Sequence, residues 1–189
     1  MQGNKGIGLA ICKKILEDHP NFHVLLGSRD HARGTEAVNS LHKEGLTKVS
    51  LMELDVTDDG SIDSAVFEYG HSYSTNGSMY GIVNNAGVGF GRSIEDTVDT
   101  NTLGPMRVFD KFLPFLQASG RVVNIASASG PNFTNSLTVE QRGFYKAPRE
   151  PFAINAMIAN KTKKSKVSKP GFDNTAYGFS KVSEGLSRP

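Results

Sequence analysis

Cysteine is nearly absent from this chain: Cys12 is the one thiol in 189 residues. A single thiol forms no internal disulfide, so a reducing, cytoplasmic setting is expected. Long apolar runs are missing as well. No stretch approaches the roughly 18 apolar residues that a membrane-spanning helix needs. Met1 is followed by Gln-Gly-Asn-Lys, not by the apolar core of a secretory signal. An excess of one charge is missing too. Lys and Arg number 21 against 19 Asp and Glu, leaving +2, too mild a surplus to imply nucleic acid as a partner. The one dense cationic run, Lys161-Thr-Lys-Lys-Ser-Lys-Val-Ser-Lys169, lacks interleaved aromatics and reads as a solvated loop. What is present excludes global disorder. Hydrophobic residues make up 38%, and 20 glycines bring the apolar share into the ordinary globular band.

Apolar spacing predicts a helix over 7–16, with Ile7, Ile11 and Ile15 on one face. Residues 22–27 read as a buried strand, 31–44 as an amphipathic helix ending at Gly45, and 48–55 as a strand. A helix over 61–73 and a strand over 80–84 follow. Residues 94–117 read as helical, kinked or divided by Pro105 and Pro114. A further strand is expected over 121–126. Beyond Ser127 the regular alternation is expected to stop, with one helix near 150–160. Strands alternating with helices over short connections give an α/β fold: a parallel sheet covered on both faces.

Gly3-Asn4-Lys5-Gly6-Ile7-Gly8 opens the first helix. Glycines there let the backbone approach a pyrophosphate, and the helix N-terminus offers unpaired N–H groups and the positive end of the dipole. Twenty-one residues after Gly8, directly behind the first strand, stands Arg29, preceded by neutral Ser28. An acidic residue near this place would bind a ribose 2′-hydroxyl, whereas Arg accommodates a 2′-phosphate. Arg29, with Lys5 adding positive charge, therefore points to NADP(H) over NAD(H). The bland alternative pairs Arg29 with Asp30. Asp55 ends the next strand, where it could accept a hydrogen bond from an adenine amino group or cap the helix that follows. Cys12 reads as a packing residue.

These motifs, together with Asp55-Val56, Asn84-Asn-Ala86-Gly87, Asn101, Asn124-Ile-Ala-Ser127 and Tyr177-Gly-Phe-Ser-Lys181, stand in the order of the short-chain dehydrogenases/reductases, which the chain resembles along nearly its whole length. Within that family it is similar to NADPH-dependent carbonyl reductases, on Asn-Lys-Gly-Ile-Gly, Ser-Arg-Asp, Gly-Arg-Val-Val-Asn and a long insertion at about 128–176. The resemblance implies a single Rossmann-like, doubly wound domain over residues 1–189. It implies reduction of an aldehyde or ketone by NADPH, with Asn101, Ser127, Tyr177 and Lys181 as the catalytic set. Tyr177 and Lys181 are four apart, so on a helix they share a face. The ammonium favours the phenolate by direct charge interaction, which makes Tyr177 a workable proton donor, and Ser127 can donate a hydrogen bond to the same carbonyl oxygen. The family pattern further implies that Lys181 holds the nicotinamide ribose and that Asn101 orders a relay water. It places Asn84, Ala86 and Gly87 beside the cofactor. Tyr145, with Arg149 four residues on, is a decoy, because Pro148 would spoil the helix that pairs them. The insertion implies a monomer.

The sequence departs from the family at three places. Ala126 stands where a serine is common. The family's first strand, which precedes the glycine loop, has no counterpart, so the strands at 22–27 and 80–84 should each expose an edge. The chain runs eight residues past Lys181, where the family continues with further strands. These departures suggest a chain truncated at both ends. They leave two alternatives: a non-catalytic fragment, or a related reductase acting on a pterin or steroid.

Overall fold

The computed structural model describes residues 3–73, 79–89, 91–140, 142 and 180. The chain divides into two compact units, Met1–Ala86 with Arg107–Val123, and Gly87–Met106 with Asn124–Pro189. The elements run α1 (Gly6–Asp18), β1 (Val24–Ser28), α2 (His31–Lys43), β2 (Val49–Glu53), α3 (Asp59–Ser72), β3 (Met79–Asn84), α4 (Ile94–Val98), a π-helical turn (Asp99–Leu103), α5 (Gly104–Phe112), a 3-10 turn (Leu113–Phe115), β4 (Leu116–Asn124) and α6 (Ser129–Asn135).

The alternation expected from periodicity is present in the first unit. β1 and β2 pair in parallel from Val24 opposite Val49 to Ser28 opposite Glu53. Side chains of β1 alternate between two apolar layers, as strand geometry requires. Leu26 joins Cys12, Leu16, Ala37, Val38 and Leu41, supplied by α1 and α2. Leu25 packs on the opposite layer, where Met52, Ile62, Tyr69, Ile82 and Phe112 meet. Helices therefore cover both faces, the mark of a doubly wound sheet. β3 pairs with β4 in a second two-stranded sheet. The second unit has its own small cluster of Val98 and Phe133, with Ile94, Leu103 and Leu137 packed around it.

Local chemistry sets the element ends. Asp30 caps α2, its carboxylate accepting from the Arg33 amide at 3.0 Å, and Asp58 caps α3 through the Gly60 and Ser61 amides. Gly45 closes α2 with φ at +85°, a conformation that costs glycine little.

Several expectations shift. On α1 the buried face is Gly8, Cys12 and Leu16, while Ile7 is 64% exposed, so the packed stripe lies one residue beyond the predicted one. Phe22 lies outside β1. The stretch 94–117 is broken as the prolines demanded, but its last two residues belong to β4, which begins at Leu116 and stops at Asn124. Pro114 sits in the 3-10 turn, lacks an N–H, and cannot extend α5. Regular structure also continues past Ser127, because α6 starts two residues later. The helix expected near 150–160 lies outside the described residues, as do Tyr145, Tyr177, Lys181 and the cationic run. No helix among the described residues is long and apolar enough to cross a membrane.

Candidate functional site

In the first unit the candidate cofactor residues gather at the C-terminal ends of β1, β2 and β3. The Gly3 amide donates to the Gly27 carbonyl at 2.9 Å, which draws the glycine loop onto the end of β1. A Cβ on Gly3 would lie 2.8 Å from Leu26 Cγ, so this close approach needs glycine. α1 then starts at Gly6, with φ at +54°, and nothing stands within 4 Å of where its Cβ would be. Lys5, the N-cap residue, makes no side-chain cap, and the first turn carries no acidic residue. The first-turn amides of Gly6, Ile7 and Gly8 thus receive no side-chain cap at the positive end of a 13-residue helix, with Asn4 and Lys5 just before it. An anionic pyrophosphate fits this arrangement.

Arg29 follows β1 and is exposed. Its bland partner is occupied elsewhere: Asp30 caps α2 and lies 3.4 Å from the Arg33 guanidinium. Among the described residues Arg29 has no ion-pair partner. Ser28 is buried and bonds the Asp30 backbone, its hydroxyl donating at 2.8 Å, so it fixes the turn that presents Arg29.

Asp55 does not cap α3; Asp58 does. One Asp55 oxygen instead accepts from the Thr57 amide at 3.0 Å and hydroxyl at 2.7 Å, while its own amide donates to Ser61 Oγ at 2.9 Å. This tight local turn holds the carboxyl at the end of β2. Val56 is buried in the core and its carbonyl accepts from Arg107 at 3.4 Å. Asn84 and Ala86 are buried at the end of β3.

In the second unit Asn101 is fully buried in the π-helical turn. Its side-chain oxygen accepts from the Val88 amide at 2.8 Å, and its nitrogen donates to the Val88 carbonyl at 2.9 Å and to Ser180 Oγ at 3.0 Å. Both amide hydrogens and an acceptor site are thus engaged. The Asn101 side chain clamps the irregular segment that leaves the Asn-Asn-Ala-Gly motif just beyond Gly87. Thr102 adds a hydroxyl bond to the Ser180 carbonyl at 3.0 Å. Ser180 and Thr102 are the residues that sequence reasoning passed over. Their only signal was adjacency, Ser180 to Lys181 and Thr102 to Asn101. Ser127 lies three residues past β4, and its hydroxyl accepts from the Ser129 amide at 3.2 Å as α6 begins.

Comparison with known proteins agrees with this geometry. A model of the short chain dehydrogenase family matches residues 2–139. Carbonyl reductase [NADPH] 1 of Rattus norvegicus is 32% identical over 199 residues, covering 95% of this chain and 67% of that protein. Its counterpart in Macaca fascicularis is 33% identical over 195 residues, with the same coverage of 95% and 67%. The chain spans about two thirds of the length of these curated relatives. Among solved structures, menthone neomenthol reductase from Mentha piperita superposes with a TM-score of 0.81 at 23% identity, covering 97% of this chain and 80% of that one. The NADPH-bound carbonyl reductase from chicken fatty liver gives a TM-score of 0.67 at 20% identity, covering 97% and 68%. These two likenesses show the Rossmann-like α/β fold.

Proposed function

Because this chain belongs to the short-chain dehydrogenase family, a family of oxidoreductases, we propose that it reduces an aldehyde or ketone with NADPH, Tyr177 donating the proton. The observation that carries this reading is Ser180. It stands between Tyr177 and Lys181 in sequence, and it is fully buried against Asn101 and Thr102. Ser180 is thereby tied to the turn that carries Asn101 and Thr102. Two separate stretches of the family pattern meet through side chains that local packing alone would not bring together.

NADPH, when bound, supplies the hydride. Around it the chain has three tasks. The open amides of the first turn of α1, with Lys5 beside them, hold the pyrophosphate. Arg29 pairs its planar guanidinium with the 2′-phosphate, and the second oxygen of Asp55 accepts from the adenine amino group. At the carbonyl, Ser127 donates a hydrogen bond to the oxygen as negative charge develops, and Tyr177 gives its proton to the same oxygen. Lys181 stabilises the phenolate that remains and holds the nicotinamide ribose. Support for NADPH comes from Arg29, which has no ion-pair partner among the described residues, and from the similarity to carbonyl reductases named for NADPH.

The test is NADPH consumption with a small quinone or aldehyde. Tyr177→Phe is expected to lower turnover by about 100-fold or more while leaving NADPH affinity nearly unchanged. Arg29→Ala is expected to weaken NADPH about 10- to 150-fold and to leave NADH untouched, the effect of losing a charge-assisted contact. Equal losses for both cofactors would overturn the assignment of Arg29. Full turnover in Tyr177→Phe would overturn that of Tyr177.

A further inference from the structure

In the second unit one buried hydroxyl goes where local chemistry does not send it. A threonine hydroxyl within a helix commonly bonds the carbonyl four residues back. Thr97 does so, donating to the Ser93 carbonyl at 2.7 Å. Thr102, in the π-helical turn, donates instead to the Ser180 carbonyl, 78 residues away, at 3.0 Å. Both ends are shut off from water: Thr102 is 1% exposed and Ser180 is fully buried. Packing alone does not ask for a hydroxyl here, because valine has nearly the same shape and costs less to desolvate.

Ser180 is gripped twice. Asn101, the neighbour of Thr102, donates its side-chain amide to Ser180 Oγ at 3.0 Å. Successive helical residues point about 100° apart, so two neighbours seldom share one target. One grip holds the side chain and the other holds the main chain. A residue held at one atom can pivot about it, whereas one held at Oγ and at its carbonyl cannot. The Ser180 carbonyl, the Lys181 amide and the Lys181 Cα share one rigid peptide plane. The Thr102 hydroxyl therefore fixes the plane from which the lysine side chain hangs. Asn101 has a second task, since its side chain also holds Val88. The Thr102 side chain bonds Ser180 alone among the described residues.

We infer that Thr102 is a positioning residue for the reduction, aligning Lys181 with Tyr177 through the Ser180 carbonyl. The inference rests on the roles proposed above for Tyr177 and Lys181. An ammonium kept close to the phenol holds its pKa down; a displacement of about 1 Å weakens that hold and can cost on the order of 100-fold in rate.

The test reads Tyr177 without cofactor as well as with it. The chain has five tyrosines, so the phenolate absorbance of Tyr177 is taken as the difference between each protein and its Tyr177→Phe counterpart. In the parent it is expected to titrate below the ordinary tyrosine range, and Lys181→Met returns it there. Thr102→Val is expected to raise the midpoint by about half a pH unit, to lower kcat about tenfold and to leave KM for NADPH within about twofold. Thr102→Ser keeps the hydroxyl and restores all three. Thr97→Val removes the locally bonded hydroxyl of the same unit, and should lower the melting temperature without moving the midpoint. A parental midpoint in Thr102→Val overturns the inference. So does an equal rise in Thr97→Val, the mark of a generally loosened unit. No response to Lys181→Met overturns instead the roles proposed for Tyr177 and Lys181, which separates the two failures. Valine puts a methyl where the hydroxyl bonded. Should Thr102→Val lose its cooperative melt, Thr102→Ala leaves that space empty and is held to the same midpoint: a rise supports the inference, and a parental value overturns it.

Discussion

β1 and the apolar end of β4, Val122 and Val123, belong to the same unit, yet they are housed differently. In β1, Leu26 is fully buried, and the strand packs against helices on both faces. In β4, Val122 is 38% exposed and Val123 46% exposed, and Tyr80 on neighbouring β3 is 47% exposed. The apolar content of a strand encodes a demand for burial, and the fold meets that demand only where a layer lies over it. β1–β2 has both layers; β3–β4 borders the open cavity of about 750 Å³ lined by Tyr80 and Val123. The sharpest way to break the comparison is a matched truncation. Leu26→Ala should cost about 2–5 kcal/mol, since it opens a cavity in a closed layer. Val123→Ala should cost under about 0.5 kcal/mol, as for half-exposed sites. Chemical denaturation of both variants checks this, and equal losses would mean that β4 is packed as tightly as β1.

A smaller effect sharpens the same contrast with one substitution in two helices. In α2, a Cβ on Gly34 would stand 2.4 Å from Leu51 Cδ1 and 3.0 Å from Ser28 Cβ. The leucine end can shift, but the serine Cβ is fixed to the backbone of β1. In α3, a Cβ on Gly70 would meet only Phe115 ring atoms at 3.5 Å or more, an ordinary contact. Gly34→Ala should therefore destabilise by about 1–2 kcal/mol despite its helix propensity, the usual cost of overpacking. Gly70→Ala should stabilise by about 0.5–1 kcal/mol, because alanine loses less backbone entropy in a helix. Thermal melts of the two single variants give the signs directly, and like signs would remove the distinction between the layers.

The tight half was also the legible half. Alternation of period announced β1, α2, β2 and α3, and aspartates at 30 and 58 stand where helix caps belong. The expectation that β1 and β3 each show an edge matches the sheets, since among the described residues β1 pairs only with β2 and β3 only with β4. What escaped notice depends on distant partners. Nothing local in Leu-Gln-Ala-Ser-Gly marks the start of β4; pairing with β3 makes it a strand. The family pattern implies a water-ordering role for Asn101, while the long-range bonds of its side-chain amide, to Val88, 13 residues away, and to Ser180, 79 residues away, were not legible. Hydrogen-bond capacity is visible in a residue type, whereas its use is settled by tertiary contacts. The shift of the buried stripe on α1 has the same origin. Ile11 and Ile15 line the cavity of the first unit, so the apolar period was real but had two claimants.

The smallest expected effect comes from His23, which lines the cavity of the first unit. Its ring lies 5.7 Å from Tyr73 and its Nε2 lies 2.9 Å from Ser50 Oγ. Burial, and after it the nearby Lys48 ammonium, hold the imidazole below the usual histidine range. The imidazolium is thus less favourable in the folded chain than in the unfolded one. As pH falls below about 6.5, the unfolded state binds more protons than the folded state. The stabilisation is therefore complete above that pH and erodes on acidification until the folded value is passed. Much of the side chain is in water, so the slope is shallow. Melting curves from about pH 8 to about pH 5 should fall less steeply for His23→Gln than for the parent, with Lys48→Ala in between. Parallel curves for parent and His23→Gln would show that the rim histidine takes no part in the difference between the closed layer and the open one.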